Sequence, residues 1–191
     1  IYIHSAIELF WREMDGYEDL MRLTNESVAE KINKAVDKVL DDATQEFKYR
    51  LLPKSKRIEH FRISRVLHRW IEIEKGRKSF AVCDRELNIV INLAGINFEG
   101  KIDRIDKMPD ESFVLVDYKT GRANKNSWLP HSRIKEPQVP AYAVALNRPI
   151  SGVAFALLRP DDLKFDGVSS GPQGISGVEK IEDLKSFDEI S

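Results

Sequence analysis

Cysteine is almost absent: Cys83 stands alone among 191 residues. One thiol closes no disulfide within the chain and builds no cysteine zinc site, and this usage fits a reducing, cytoplasmic setting. Long apolar runs are missing too. No stretch approaches the roughly 20 apolar residues a membrane helix needs, and no signal peptide opens the chain. A surplus of charge of either sign is also lacking. The formal net charge is −1, so nothing draws the whole molecule towards nucleic acid. No internal repeat is visible. The chain opens on Ile1 rather than Met, as expected of a piece of something longer. What is present is 42% hydrophobic and 32% charged residues. That is the make-up of one ordinary globular domain, large enough to bury a core.

Charge is unevenly spread. Residues 48–78 hold Lys48, Arg50, Lys54, Lys56, Arg57, Arg62, Arg65, Arg69, Lys75, Arg77 and Lys78 against Glu59, Glu72 and Glu74, whereas the first 46 residues and the tail after Pro160 are acidic. Such a stretch is commonly a solvated helix face, yet it can contact phosphates even when the total is neutral. Arg62, Arg65 and Arg69 recur at helical spacing and form one exposed line.

Ile3, Ile7, Phe10 and Trp11 predict a helix over 2–15, with His4 and Glu8 on one side of it. A short helix or loop follows over 17–22. Thr24 or Asn25 can cap a long helix to about residue 51, with Val28, Ile32, Ala35, Val39 and Ala43 as its core stripe and Pro53 as its end. A further helix over 58–75 is anchored by Phe61, Val66, Trp70 and Ile73 and stopped by Gly76. Strands are predicted over 79–91, 96–106 and 113–119, joined by turns at 92–95 and 107–112. A helix over 137–146, a strand over 151–158 and a short edge strand over 163–168 complete the order. The Ser/Gly/Pro-rich residues 169–177 predict a mobile loop, and 178–191 an acidic amphipathic segment. The class is α+β: one domain over 1–191, mostly helical over 1–78, with a mixed central sheet flanked by helices over 79–168.

The chemistry concentrates in FVLVDYKTGR, residues 113–122. Alternation puts Asp117 and Lys119 on one face with Phe113 and Leu115, and Val114, Val116 and Tyr118 on the other. Both faces are apolar, so the strand is central, and charge there must be paired or bind a metal. A salt-bridged strand end is the plain alternative. Upstream, FEGKIDRIDKMPDES supplies a second strand and a turn at Met108–Glu111, so that Asp103 comes across from the start of Asp117-Tyr118-Lys119. Two carboxylates suit Mg²⁺, and a lysine beside them suits a phosphate or a metal-bound water.

Asp103 in G-K-I-D-R and the D-Y-K of Asp117 and Lys119 resemble the PD-(D/E)xK nuclease superfamily, in particular its RecB-like exonuclease branch. QVPAY, with Gln138 and Tyr142, resembles the Q-x-x-x-Y motif of that branch. The opening IYIHSAIELFW resembles its N-terminal histidine element, which falls on His4. The likeness runs from residue 1 to about 158. It implies a restriction-endonuclease-like core and a metal-dependent DNA nuclease, an exonuclease of repair or recombination. A catalytically inactive DNA-binding or scaffold domain of a helicase–nuclease complex is the alternative, and RNA is a further substrate class. The resemblance makes His4, Asp103 and Asp117 ligands of Mg²⁺ or Mn²⁺, adds the Tyr118 carbonyl, and gives Lys119 the attacking water and the developing charge. It makes Gln138 and Tyr142 a phosphate contact and an orienter of Lys119, and Glu86 an outer neighbour rather than a primary ligand. Some relatives carry a four-cysteine iron–sulfur cluster, which Cys83 alone cannot build. DNA and a helicase-like partner or fused region are the expected partners. Arg62, Arg65 and Arg69 are the expected backbone contacts, with Arg122, Lys125 and Arg133 as another route. His60, His68 and His131 match no motif and are expected to be surface or structural.

Overall fold

A computed structural model describes residues 2–46, 52–93, 95–128 and 136–183. The helices α1 (Tyr2–Trp11), α2 (Tyr17–Arg22), α3 (Asn25–Glu46) and α4 (Pro53–Lys75) come first. Then follow strands β1 (Ala81–Leu93), β2 (Ile96–Lys107) and β3 (Phe113–Lys119), helix α5 (Gln138–Ala145), and strands β4 (Ile150–Arg159), β5 (Asp162–Ser169) and β6 (Val178–Lys180). Among the described residues the strands form one six-stranded sheet in sequence order. Neighbours are antiparallel except for β3 with β4 and β5 with β6, which are parallel. A parallel neighbour cannot be reached by a tight turn, and α5 lies in the connection from β3 to β4. The architecture is the α+β one expected, with a mixed sheet, flanking helices and a helical N-terminal section.

Each face of the sheet buries its own core. Val114, Val116 and Tyr118 pack with Ile7, Ile32 and Trp70 from the helical section. Leu115 faces the other way, into Phe155, Leu157, Trp128 and Tyr142 beneath α5. β3 is therefore central and apolar on both sides, as its alternation requires.

Local signals explain most boundaries. The Ser27 backbone N–H donates to Thr24 Oγ1 at 3.2 Å, which caps α3. The expected continuation of α3 to residue 51, and Lys48 and Arg50 with it, lie outside the described residues. Pro53 opens α4 instead of closing α3, because its fixed φ and missing N–H suit a first helical position. The buried face of α4 is Ile63, Val66, Leu67, Trp70, Ile71 and Glu74. Phe61 is no anchor: it is 67% exposed, since it falls outside that stripe at 100° per residue. α1 ends at Trp11 rather than 15 because the chain turns at Gly16 to dock on the start of β1, where Tyr17 N–H donates to Phe80 O at 2.9 Å. Gly16 has φ 148, and a Cβ there would come within 2.3 Å of Phe80 O.

Two further expectations change. The strand near 163–168 is no edge strand, because β6 pairs along Gly167–Ser169. The Ser/Gly/Pro segment folds back to deliver β6, burying Gln173 and Ile175, with Gly174 and Gly177 at φ 65 and 86. Residues 184–191 lie outside the described residues. No described helix is long and apolar enough to cross a membrane.

Candidate functional site

β3 presents Asp117 and Lys119 side by side, with Lys119 Nζ 2.8 Å from Asp117 Oδ2. The ammonium also lies 5.7 Å from the centre of the Phe155 ring. In the β2–β3 ladder Arg104 pairs with Val116, which sets Asp103 level with Asp117. Asp103 Oδ2 accepts the Tyr118 backbone N–H at 2.7 Å, and its Oδ1 lies 3.5 Å from His4 Nε2. His4 arrives from α1. The helix buries Ile3, Ile7, Phe10 and Trp11, and the His4 ring meets Tyr118 edge-on at 5.8 Å.

Glu86 completes a cluster. Its Oε1 is 3.0 Å from His4 Nε2, and its other oxygen meets the Lys101 ammonium. His4, Glu86 and Asp103 each present a ligand atom within 4.8 Å of the others. Asp117 is not part of that threesome and turns to Lys119 instead. Glu86 reaches the cluster through register. Leu93 pairs with Ile96, so the turn is two residues long rather than the four expected at 92–95, of which Ala94 lies outside the described residues. Counting back from the shorter turn places Glu86 across from Asp103, where the longer one would have placed Asp84. Glu86 also adopts φ 53, a left-handed conformation uncommon for a side-chain-bearing residue and found where a site is held under constraint.

Electrostatics reflect the crowding. Burial pushes the Asp103 carboxyl up to about 6; the His4 ring opposes this and the Asp117 carboxylate adds to it. Burial also raises Asp117, against the pull of Lys119. Burial works against the Lys119 charge, but the Asp117 carboxylate wins and holds Lys119 above the ordinary lysine value. For Glu86 burial opposes ionisation, and the contacts with Lys101 and His4 outweigh it.

A neutral four-membered ion network lies next to this cluster. Arg77 and Arg104 alternate with Glu74 and Asp106, all buried, with contacts of 2.7 to 2.9 Å. Arg104 also donates to the Tyr118 hydroxyl at 2.7 Å, and Trp70 Nε1 to Glu74 at 3.1 Å. Tyr118 thus links the network to His4 through its ring and to Asp103 through its N–H.

Gln138 and Tyr142 share a face of α5, and the pair is bonded to β2 through Tyr142. Gln138 Nε2 donates to Tyr142 Oη at 2.5 Å, and Tyr142 Oη accepts the Lys101 backbone N–H at 3.1 Å. Among the described residues neither is bonded to Lys119. Gly100 makes the approach possible, since a Cβ there would lie 2.3 Å from Tyr142 Oη. Gly100→Ala is therefore expected to lower stability by about 1–3 kcal/mol through overpacking against a buried ring. Thermal unfolding checks this, and an unchanged Tm would mean that Tyr142 moves aside freely.

Arg62, Arg65 and Arg69 of α4 are all exposed, but their surroundings differ. Arg62 is paired with Glu59 at 2.6 Å and lines a cavity of about 360 Å³ with Tyr2, Ile3 and Thr120, the last two being chain neighbours of His4 and Lys119. Arg69 donates to the Pro160 carbonyl at 2.6 Å. Of the alternative route, Lys125 is paired with Glu179 at 2.7 Å, and Arg133, like His131, lies outside the described residues.

Residues 1–170 match the PD-(D/E)XK nuclease superfamily. The chain belongs to that superfamily. No curated protein matches it. The crystal structure of SSO0001 is similar at 14% sequence identity and a TM-score of 0.33, covering 87% of this chain and 63% of that chain. The chain thus spans less than two thirds of the length of that structure. Nucleases of the PD-(D/E)XK superfamily generally use divalent metals. The donors here fit such an ion. One imidazole and two carboxylates converge, and among the described residues the buried Asp117 Oδ2 beside them receives no well-aligned hydrogen bond even with Lys119 at 2.8 Å.

Proposed function

We propose that this PD-(D/E)XK protein is a divalent-metal-dependent DNA nuclease of the RecB-like exonuclease kind, acting in repair or recombination beside a helicase-like partner or fused region. The observation that carries the reading is the convergence of His4, Glu86 and Asp103 next to the Asp117–Lys119 pair. Those three side chains hold the ion, Glu86 as a ligand in its own right, with Asp117 and the Tyr118 carbonyl beside them. A bound divalent ion supplies charge to polarise the scissile phosphate and lowers the pKa of a coordinated water. The imidazole suits Mn²⁺ at least as well as Mg²⁺.

Lys119 acts as a donor in this setting. Asp117 keeps it protonated and holds it at the strand end, where it steadies charge developing on the phosphate and orients the attacking water. Arg62, on the wall of the neighbouring cavity, contacts the nucleic-acid backbone. Arg65 extends that line, while Arg69 does so only by releasing the Pro160 carbonyl.

End-labelled single-stranded and double-stranded DNA, with RNA alongside, should be digested in Mg²⁺ or Mn²⁺ and stay intact in EDTA. Stepwise shortening from one end supports the exonuclease and reports polarity. Intact DNA with retained DNA binding would replace the enzyme by an inactive binding domain.

A further inference from the structure

Lys101 carries a charge that the proposed chemistry leaves unused. It stands on β2 two residues before Asp103, with its ammonium on Glu86 and its side chain 52% exposed. Its backbone is pinned: the Lys101 N–H is bonded to Tyr142 Oη, which Gln138 holds in turn. Gly100, directly before it, has no side chain to push α5 away. A flexible, half-exposed lysine is thus anchored at the edge of the cluster. Glu86 meanwhile faces two claims, from Lys101 on one oxygen and from the His4–Asp103 side on the other.

An ion held by His4, Glu86 and Asp103 would bring two positive charges to one carboxylate, next to an ammonium already there, and like charges at such spacing repel. The ammonium is the mobile party, on a four-carbon stem open to solvent. We propose that Lys101 is a phosphate-binding residue held in reserve by Glu86: a divalent ion entering the site displaces its ammonium, which then moves to a backbone phosphate of the bound strand. Ion uptake and strand binding are coupled through this one side chain. The proposal rests on the metal site described above and adds a residue that binds substrate only once the site is loaded.

The test uses Lys101→Met, which keeps the stem and removes the charge, and Lys101→Arg, which keeps the charge. Mn²⁺ is titrated into each protein by calorimetry. Binding of a fluorescein-labelled single strand is followed by anisotropy in Ca²⁺ across a salt series. Lys101→Met should bind Mn²⁺ about fivefold more tightly, the size expected from deleting one competing exposed ion pair. Its salt slope for the strand should fall by about 0.7, one phosphate contact on single-stranded nucleic acid, and Lys101→Arg should keep the wild-type values of both. An Mn²⁺ affinity in Lys101→Met that is unchanged or weaker overturns the competition, and an unchanged salt slope overturns the phosphate contact. A wild-type chain that takes up no Mn²⁺ would instead overturn the metal site itself.

Discussion

Lys119→Met should cut DNA about 10²–10³-fold more slowly than wild type in single-turnover assays, the usual loss when one preorganised donor to a developing charge is removed. Strand affinity in Ca²⁺ should hardly move, because the lysine acts on the reacting phosphate and water. The geometry supports this separation. Lys119 touches Asp117 at 2.8 Å and no other carboxylate of the cluster, so His4, Glu86 and Asp103 keep their places without it. Asp103→Asn should behave differently. It replaces a charged ligand with a neutral amide, so Mn²⁺ uptake and cleavage should fall together. Wild-type cleavage by Lys119→Met would break the assignment of the D-Y-K motif, whatever became of the metal ligands.

The largest effect on stability is expected at Arg104. Its guanidinium is 1% exposed and contacts Glu74 and Asp106, both fully buried. Arg104→Met leaves two buried carboxylates sharing Arg77 and deprives the Tyr118 hydroxyl of its donor. Removing one member of a buried ion network costs about 3–5 kcal/mol, because the remaining charges stay desolvated and uncompensated. That is a large part of the 5–15 kcal/mol that holds a typical domain together. Urea unfolding measures it, and a loss below about 1 kcal/mol would show that water reaches the network. Tyr118 ties that network to both His4 and Asp103, so the same variant should also weaken Mn²⁺ binding at temperatures where it remains folded.

Several features of the site follow from short-range pattern. Strand alternation sufficed to put Asp117 and Lys119 on one face of β3, and the helical stripe of α3 from Val28 to Ala43 is buried as its spacing demands. Glu86 was harder to see. Its place across from Asp103 depends on two residues of turn rather than four, and on a left-handed φ that no local signal announces in a glutamate. Gln138 and Tyr142 are legible as an i, i+4 pair, yet nothing in QVPAY tells that the tyrosine reaches β2 at Lys101.

By itself the sequence determined which residues share a face, where Gly76 ends a helix and where the D-Y-K motif stands, because periods of 2 and 3.6 residues are local properties of the backbone. Only the tertiary structure decided which faces meet. His4 comes to Glu86 across 82 residues of chain, and Arg104 to Glu74 across 30. β6 covers the expected edge of β5 through two glycine turns. Such meetings are set by ladder register and by the fit of two cores on one sheet. In that setting a charged side chain such as Arg104 or Asp106 stays buried only when partners distant in sequence neutralise it.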